Sequence, residues 1–180
     1  MQRNSFRNSQ RGLTLIEICA TLAIASVLAG TALPSFIESN QKRVLDGSAD
    51  EIATDVYLAR SEAVTRQQGV RISFHSVAAG SCMVIHTGST SDCSCDAGGV
   101  AQCTNGAELI KTALYPVARN IAVTANVASM RFDQTNGTVT PAGTVRVIAR
   151  GGQEVHHVVN IMGRVRTCSP GRSAQGYKAC

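Results

Sequence analysis

The chain has 180 residues, a formal net charge of +5, 44% hydrophobic residues, 4% aromatics and no tryptophan. This length leaves room for one soluble domain beside a leader and a membrane-length segment. The core has to be built from Val, Ile, Leu and Ala. Residues Met1 to Gly12 form a polar leader carrying Arg3, Arg7 and Arg11 and no acid. Leu13 to Ala32 then gives twenty residues with a single charge, Glu17. At about 1.5 Å rise per residue, a helix of that length just spans a hydrocarbon core. Basic residues stay on the cytoplasmic side, so the leader is expected inside and the rest of the chain outside.

Glu17 is the telling residue. A carboxylate in a membrane segment costs roughly 2.5–3.5 kcal/mol unless it finds a partner. If the chain is cut after Gly12, Leu13 becomes the amino terminus, and the terminal amine of a neighbouring subunit can neutralise Glu17. The run Gly12-Leu13-Thr14-Leu15-Ile16-Glu17, followed by a long apolar helix and Pro34, resembles the class III signal of type IV pilins and type II secretion pseudopilins. The resemblance implies cleavage between Gly12 and Leu13 by a prepilin peptidase, N-methylation of Leu13, and assembly with other subunits through the helix. It also implies a single-pass protein of the bacterial inner membrane with its C-terminal domain in the periplasm or at a pilus tip. Leu13 replaces the more usual phenylalanine. An ordinary signal peptide fits less well, because Thr14 and Glu17 interrupt the apolar run and no small-x-small cleavage site follows.

Leu13 to about Arg66 reads as one helix, transmembrane in its first half. In the second half Val44, Ala49, Ile52, Ala53, Val56, Ala59 and Ala63 recur at mostly three- and four-residue intervals, an amphipathic stripe. Pro34 is expected to kink the helix, since it lacks an amide donor. Gly69 is expected at the left-handed position that ends it.

From residue 67 onward the chain reads as short strands. Val70–Val77 alternates, Cys82–Thr87 follows, and a Gly/Ser/Cys loop runs from Gly88 to Gly106. Further strands are expected at Glu108–Tyr115, Ile121–Ala125 and Ser129–Asp133. Asn136-Gly137 signals a hairpin. Thr144–Arg150 and Gln153–Met162 flank a Gly151-Gly152 turn. Gly163 to Cys180 reads as a tail. The fold class is α+β, a long N-terminal helix packed on an antiparallel β-sheet or β-sandwich.

Seven cysteines are present. Cys19 lies in the membrane segment and is expected to stay free. Cys82, Cys93, Cys95, Cys103, Cys168 and Cys180 make an even set in an exported domain, which favours disulfides over a zinc site. Spacing alone leaves fifteen pairings open; we expect bridges within Cys82–Cys103 and between Cys168 and Cys180.

No catalytic constellation stands out, no cofactor is indicated, and no P-loop is present. His156 and His157 point to opposite faces of a strand, so a shared metal is not expected. Charge, however, is polarised. Leu13 to Val145 carries eight basic and eleven acidic side chains, whereas Arg146 to Cys180 carries six basic residues against Glu154 alone. Arg164 and Arg166 sit two apart, so an extended backbone points both the same way, each able to fork onto a phosphate. Gly163-Arg164-x-Arg166 resembles the C-terminal motif of GspH/FimT pseudopilins, which in the FimT branch is associated with DNA binding. Arg172 and Lys178 extend this basic set along the tail. Arg146 and Arg150 extend it along the preceding strand. The expectation is a non-enzymatic minor pilin contacting double-stranded DNA without sequence readout. The alternative is a GspH-like structural subunit of a type II secretion pseudopilus.

Overall fold

The computed structural model describes residues 14–180, and within them all side chains except those of residues 31–34. The expected cleavage site at Gly12 and Leu13 lies outside the described residues, as does the side chain of Pro34. One helix, α1, runs over Leu15–Thr65. It is long and apolar enough to cross a membrane. Thr14 and Glu17 form a capping box at its start: the Thr14 amide and hydroxyl both donate to Glu17 Oε2, at 3.0 and 2.9 Å. The carboxylate therefore has local partners. The residues up to Asn40 and those from Gln41 onward form two separate compact units, so the second unit takes in the last part of α1.

The far end of α1 differs from expectation. Gln67, not Gly69, takes the left-handed conformation (φ 54°). Amides of Gln67 and Gln68 close back on the carbonyls of Val64 and Ala63, a Schellman ending. Gly69 instead lies under the far end of a flexible side chain. A Cβ there would lie 2.5 Å from the guanidinium of Arg131.

Two antiparallel sheets follow. The larger takes β1 (Val70–Val77), β2 (Gly80–Thr87), β5 (Leu109–Pro116), β7 (Ser129–Phe132) and β8 (Val139–Thr140) in the order β5-β2-β1-β7-β8. The smaller takes β6 (Ile121–Ala125), β9 (Gly143–Ala149), β10 (Glu154–Val159) and β11 (Val165–Cys168) in the order β11-β10-β9-β6. Alternation decides what is buried. Val145, Val147 and Ala149 point inward on β9, as do Val155, His157 and Val159 on β10. The helix stripe closes the core with Leu45, Ala49, Ile52, Val56, Ala59 and Ala63, all fully buried. Each large aliphatic chain buried this way contributes roughly 1.5–3 kcal/mol.

Two segments expected to be irregular are ordered by long-range pairing. The Gly88–Gly106 loop contains a small hairpin of β3 (Cys93–Cys95) and β4 (Ala101–Cys103). Cys82–Cys95 fixes that hairpin to β2, and Cys93–Cys103 crosslinks its two strands. The start of the expected tail is β11, paired along β10 from His156–Cys168 to Val159–Val165. After it the chain turns at Pro170–Arg172 and folds back, with Cys168 bonded to Cys180. Ser169, fully buried, accepts from the Ala174 amide through its hydroxyl and from the Cys180 amide through its carbonyl.

Candidate nucleic-acid interface

Asn160 builds the turn that presents the arginines. Its side-chain oxygen accepts from the amides of Met162 and Arg164 at 3.1 and 3.0 Å, and its carbonyl accepts from the Gly163 amide at 2.8 Å. Gly163 is left-handed at φ 72°, and a Cβ on it would stand 2.8 Å from the Gly137 carbonyl oxygen. Both facts demand glycine. Arg164 leaves this turn and Arg166 follows on β11; both are exposed and line a groove of about 350 Å³ with Val158, Asn160 and Val165.

The register then sorts the remaining basic residues. Val158 pairs with Arg166 and His156 with Cys168, while Arg146 faces His156 from β9. Arg146 and Arg166 therefore share the outward face of the smaller sheet, one on each side of β10. Among the described residues, no carboxylate lies within 4 Å of Arg146, Arg164 or Arg166. Glu154, the acid on that face, is held by His156 at 2.6 Å. The face is net basic, and its guanidiniums are unneutralised.

The other expected members lie elsewhere. β9 ends at Ala149, so Arg150 sits in the turn at the opposite end of the sheet, where its guanidinium donates to Asn120. Arg172 lies in the turn after β11 and Lys178 beside Ser169; both are exposed but distant along the strand direction from the Arg164 turn. The tail's one aromatic is also committed: Tyr177 donates to Asp46 of α1 at 3.1 Å, and burial raises its pKa. It offers no free ring for base stacking, which leaves phosphate contact as the chemistry available here.

His156 and His157 divide as expected. His157 is buried, 3.0 Å from the Thr167 hydroxyl, and burial lowers its pKa to about 4. Sequence reasoning missed the Thr14–Glu17 box, although Thr-x-x-Glu before an apolar run is its signature.

Comparison with known proteins adds the family. The family model described as type II transport protein GspH matches residues 48–163. The pilin-like protein PilA1 of Thermus thermophilus is 40% identical over 72 residues, 40% of this chain and 45% of that protein. The competence protein ComGD of Bacillus subtilis is 28% identical over 68 residues, 38% of this chain and 48% of that protein. The chain thus spans about half the length of these relatives. Among solved structures, the minor pseudopilin EpsH of the Vibrio cholerae type 2 secretion system aligns with 71% of this chain and 98% of its own, at TM-score 0.48 and 13% identity. The type IV minor pilin FimU of Pseudomonas aeruginosa aligns with 70% of this chain and 92% of its own, at TM-score 0.47 and 18% identity. Because the family match covers more than half of the chain, the protein belongs to the GspH family and is a type IV pilin-like chain of the GspH/FimT type.

Proposed function

We propose that this chain is a FimT-like minor pilin that contacts double-stranded DNA through Arg164 and Arg166 during uptake. Residues 13–66 serve as its membrane and assembly helix, and residues 67–180 as a periplasmic domain. It is made as a prepilin, cut between Gly12 and Leu13, methylated at Leu13, and held in the inner membrane until it joins other subunits. Its role is structural and binding, not enzymatic. The observation that carries the reading is the outward face of β9–β11, where Arg146, Arg164 and Arg166 stand without a carboxylate partner and Glu154 is occupied by His156. Two guanidiniums two residues apart, one leaving the turn and one on β11 and both lining one groove, suit successive phosphates. The competence relative of Bacillus subtilis supports a role in uptake.

The family description favours a second reading, a GspH-like structural pseudopilin of type II secretion, and its match ends at Gly163, just before the arginines. Titration of full-length protein in detergent with duplex DNA at several salt concentrations separates the two. The FimT-like reading requires salt-sensitive binding that depends on Arg164 and Arg166. The pseudopilin reading requires none.

A further inference from the structure

The turn that presents Arg164 carries a further arginine against it, Arg60 of α1. Gly137 and Gly163 approach each other there, both left-handed, at φ 62° and 72°. Neither has a side chain, and Arg60 lies across both. A Cβ on Gly137 would stand 2.9 Å from the Arg60 Cγ and 2.8 Å from its Nε; a Cβ on Gly163 would stand 3.3 Å from the Cδ and 3.4 Å from the same Nε. Arg60 therefore adjoins Gly163 through space, as Arg164 adjoins it through the chain.

Packing on the glycines accounts for the stem of Arg60 and not for its charge. The residue is half-buried, yet among the described residues no carboxylate lies within 4 Å of it and no hydrogen bond engages its guanidinium. None of its nitrogens is buried without a partner, so the head of the side chain reaches water. The residues three and four positions away on the helix are Val56, Tyr57, Ala63 and Val64, so α1 offers no acid at the spacing where a helix pair forms. Arg66, further along the same helix, shows the contrast: it pairs with both Glu62 and Glu108. A guanidinium whose stem is already packed also loses less side-chain freedom when an anion arrives.

We propose that Arg60 is a third phosphate contact of the nucleic-acid interface, so that α1 and the turn into β11 hold the same duplex backbone. This rests on the DNA-binding reading and adds to it a residue that the Gly-Arg-x-Arg motif does not contain. Duplex DNA presents a phosphate at every nucleotide, so a guanidinium beside Arg164 meets a further oxyanion without any base readout. Gly163 then serves the site twice: it turns the chain into Arg164, and its missing side chain admits Arg60 beside it.

The test is titration of the full chain in detergent with duplex DNA across a salt series, for the wild type, Arg60→Met, Arg60→Lys and Arg164→Gln/Arg166→Gln. Arg60→Met keeps a packed stem and removes the charge. It is expected to bind every sequence about threefold more weakly or worse, with a salt slope shallower by about one phosphate's worth. Its urea midpoint should match that of the wild type, and Arg60→Gln takes its place if the midpoint moves. Arg60→Lys keeps the charge and is expected to keep the wild-type slope. The proposal is overturned if Arg60→Met binds with wild-type affinity and slope while Arg164→Gln/Arg166→Gln is weakened, a result that leaves the DNA-binding reading standing. It is overturned as well if Arg60→Lys loses as much slope as Arg60→Met, since the stem and not the charge would then matter. A wild type with no salt-sensitive binding overturns the DNA-binding reading and this proposal together.

Discussion

Gly163 and Gly137 meet backbone to backbone at the turn before β11, so that a methyl group on Gly163 would come within 2.8 Å of the Gly137 carbonyl oxygen. The glycine of the Gly-Arg-x-Arg motif is therefore a packing requirement, and it sets where Arg164 emerges. Gly163→Ala should cost about 2 kcal/mol or more, because it adds left-handed strain to a contact with backbone that cannot move aside. Gly151→Ala is the control: its nearest neighbour atom would be 3.9 Å away, and the change should stay within about 0.5 kcal/mol. Urea midpoints of the two variants check the difference.

A second prediction concerns Asp55, buried on α1 and bonded to Lys111 of β5 at 2.6 Å through one oxygen while the other has no partner. Burial raises its pKa, and Lys111 opposes that. Lys111→Met should destabilise the fold by about 3 kcal/mol, since it strands a buried charge. The double variant Asp55→Asn/Lys111→Met should recover much of the loss. Chemical denaturation of the three proteins decides it.

His157 supplies a pH dependence. Its folded pKa, about 4, lies below its ordinary value of 6.5 because burial disfavours the charged ring. The unfolded chain therefore takes up a proton first as pH falls. The stability from this residue is complete above about 6.5 and is lost progressively down to about 4, in total roughly 3 kcal/mol. His157→Gln should remove that part of the slope between pH 7 and pH 4, measured against the wild type by denaturant unfolding.

Processing is testable by intact mass of membrane-extracted protein. The expected terminus is methylated Leu13, and a terminus elsewhere contradicts the prepilin reading. Glu17→Ala should be processed yet fail to co-purify with fibres. It loses both the Thr14 cap and the acceptor proposed for a neighbour's amine.

Much of this architecture was legible because apolar alternation recorded it. Val70–Val77 and the β9–β10 hairpin about Gly151-Gly152 are found where the pattern puts them. What escaped was set by partners distant in sequence. The β3–β4 hairpin carries no apolar alternation and is held by disulfides. Strand β11 is four residues long, and its identity comes from pairing with β10. Gly69 looked like a helix terminator, yet the left-handed position falls two residues earlier, at Gln67. At the candidate site, Arg164 and Arg166 line one groove, but Arg164 leaves a turn rather than lying on the strand as the spacing suggested. The separation of Arg150 did not follow from spacing either, because it depends on β9 ending one residue earlier.

The most direct measurement is the affinity of the full chain for duplex DNA across a salt series, with and without Arg164→Gln/Arg166→Gln. The account predicts weak, sequence-independent binding for the wild type, with log affinity falling linearly against log salt. The double variant should bind more weakly to every sequence, and its slope should be shallower by about two phosphates' worth. A wild type with no salt-sensitive binding, or a double variant that binds as well as the wild type, would contradict the account.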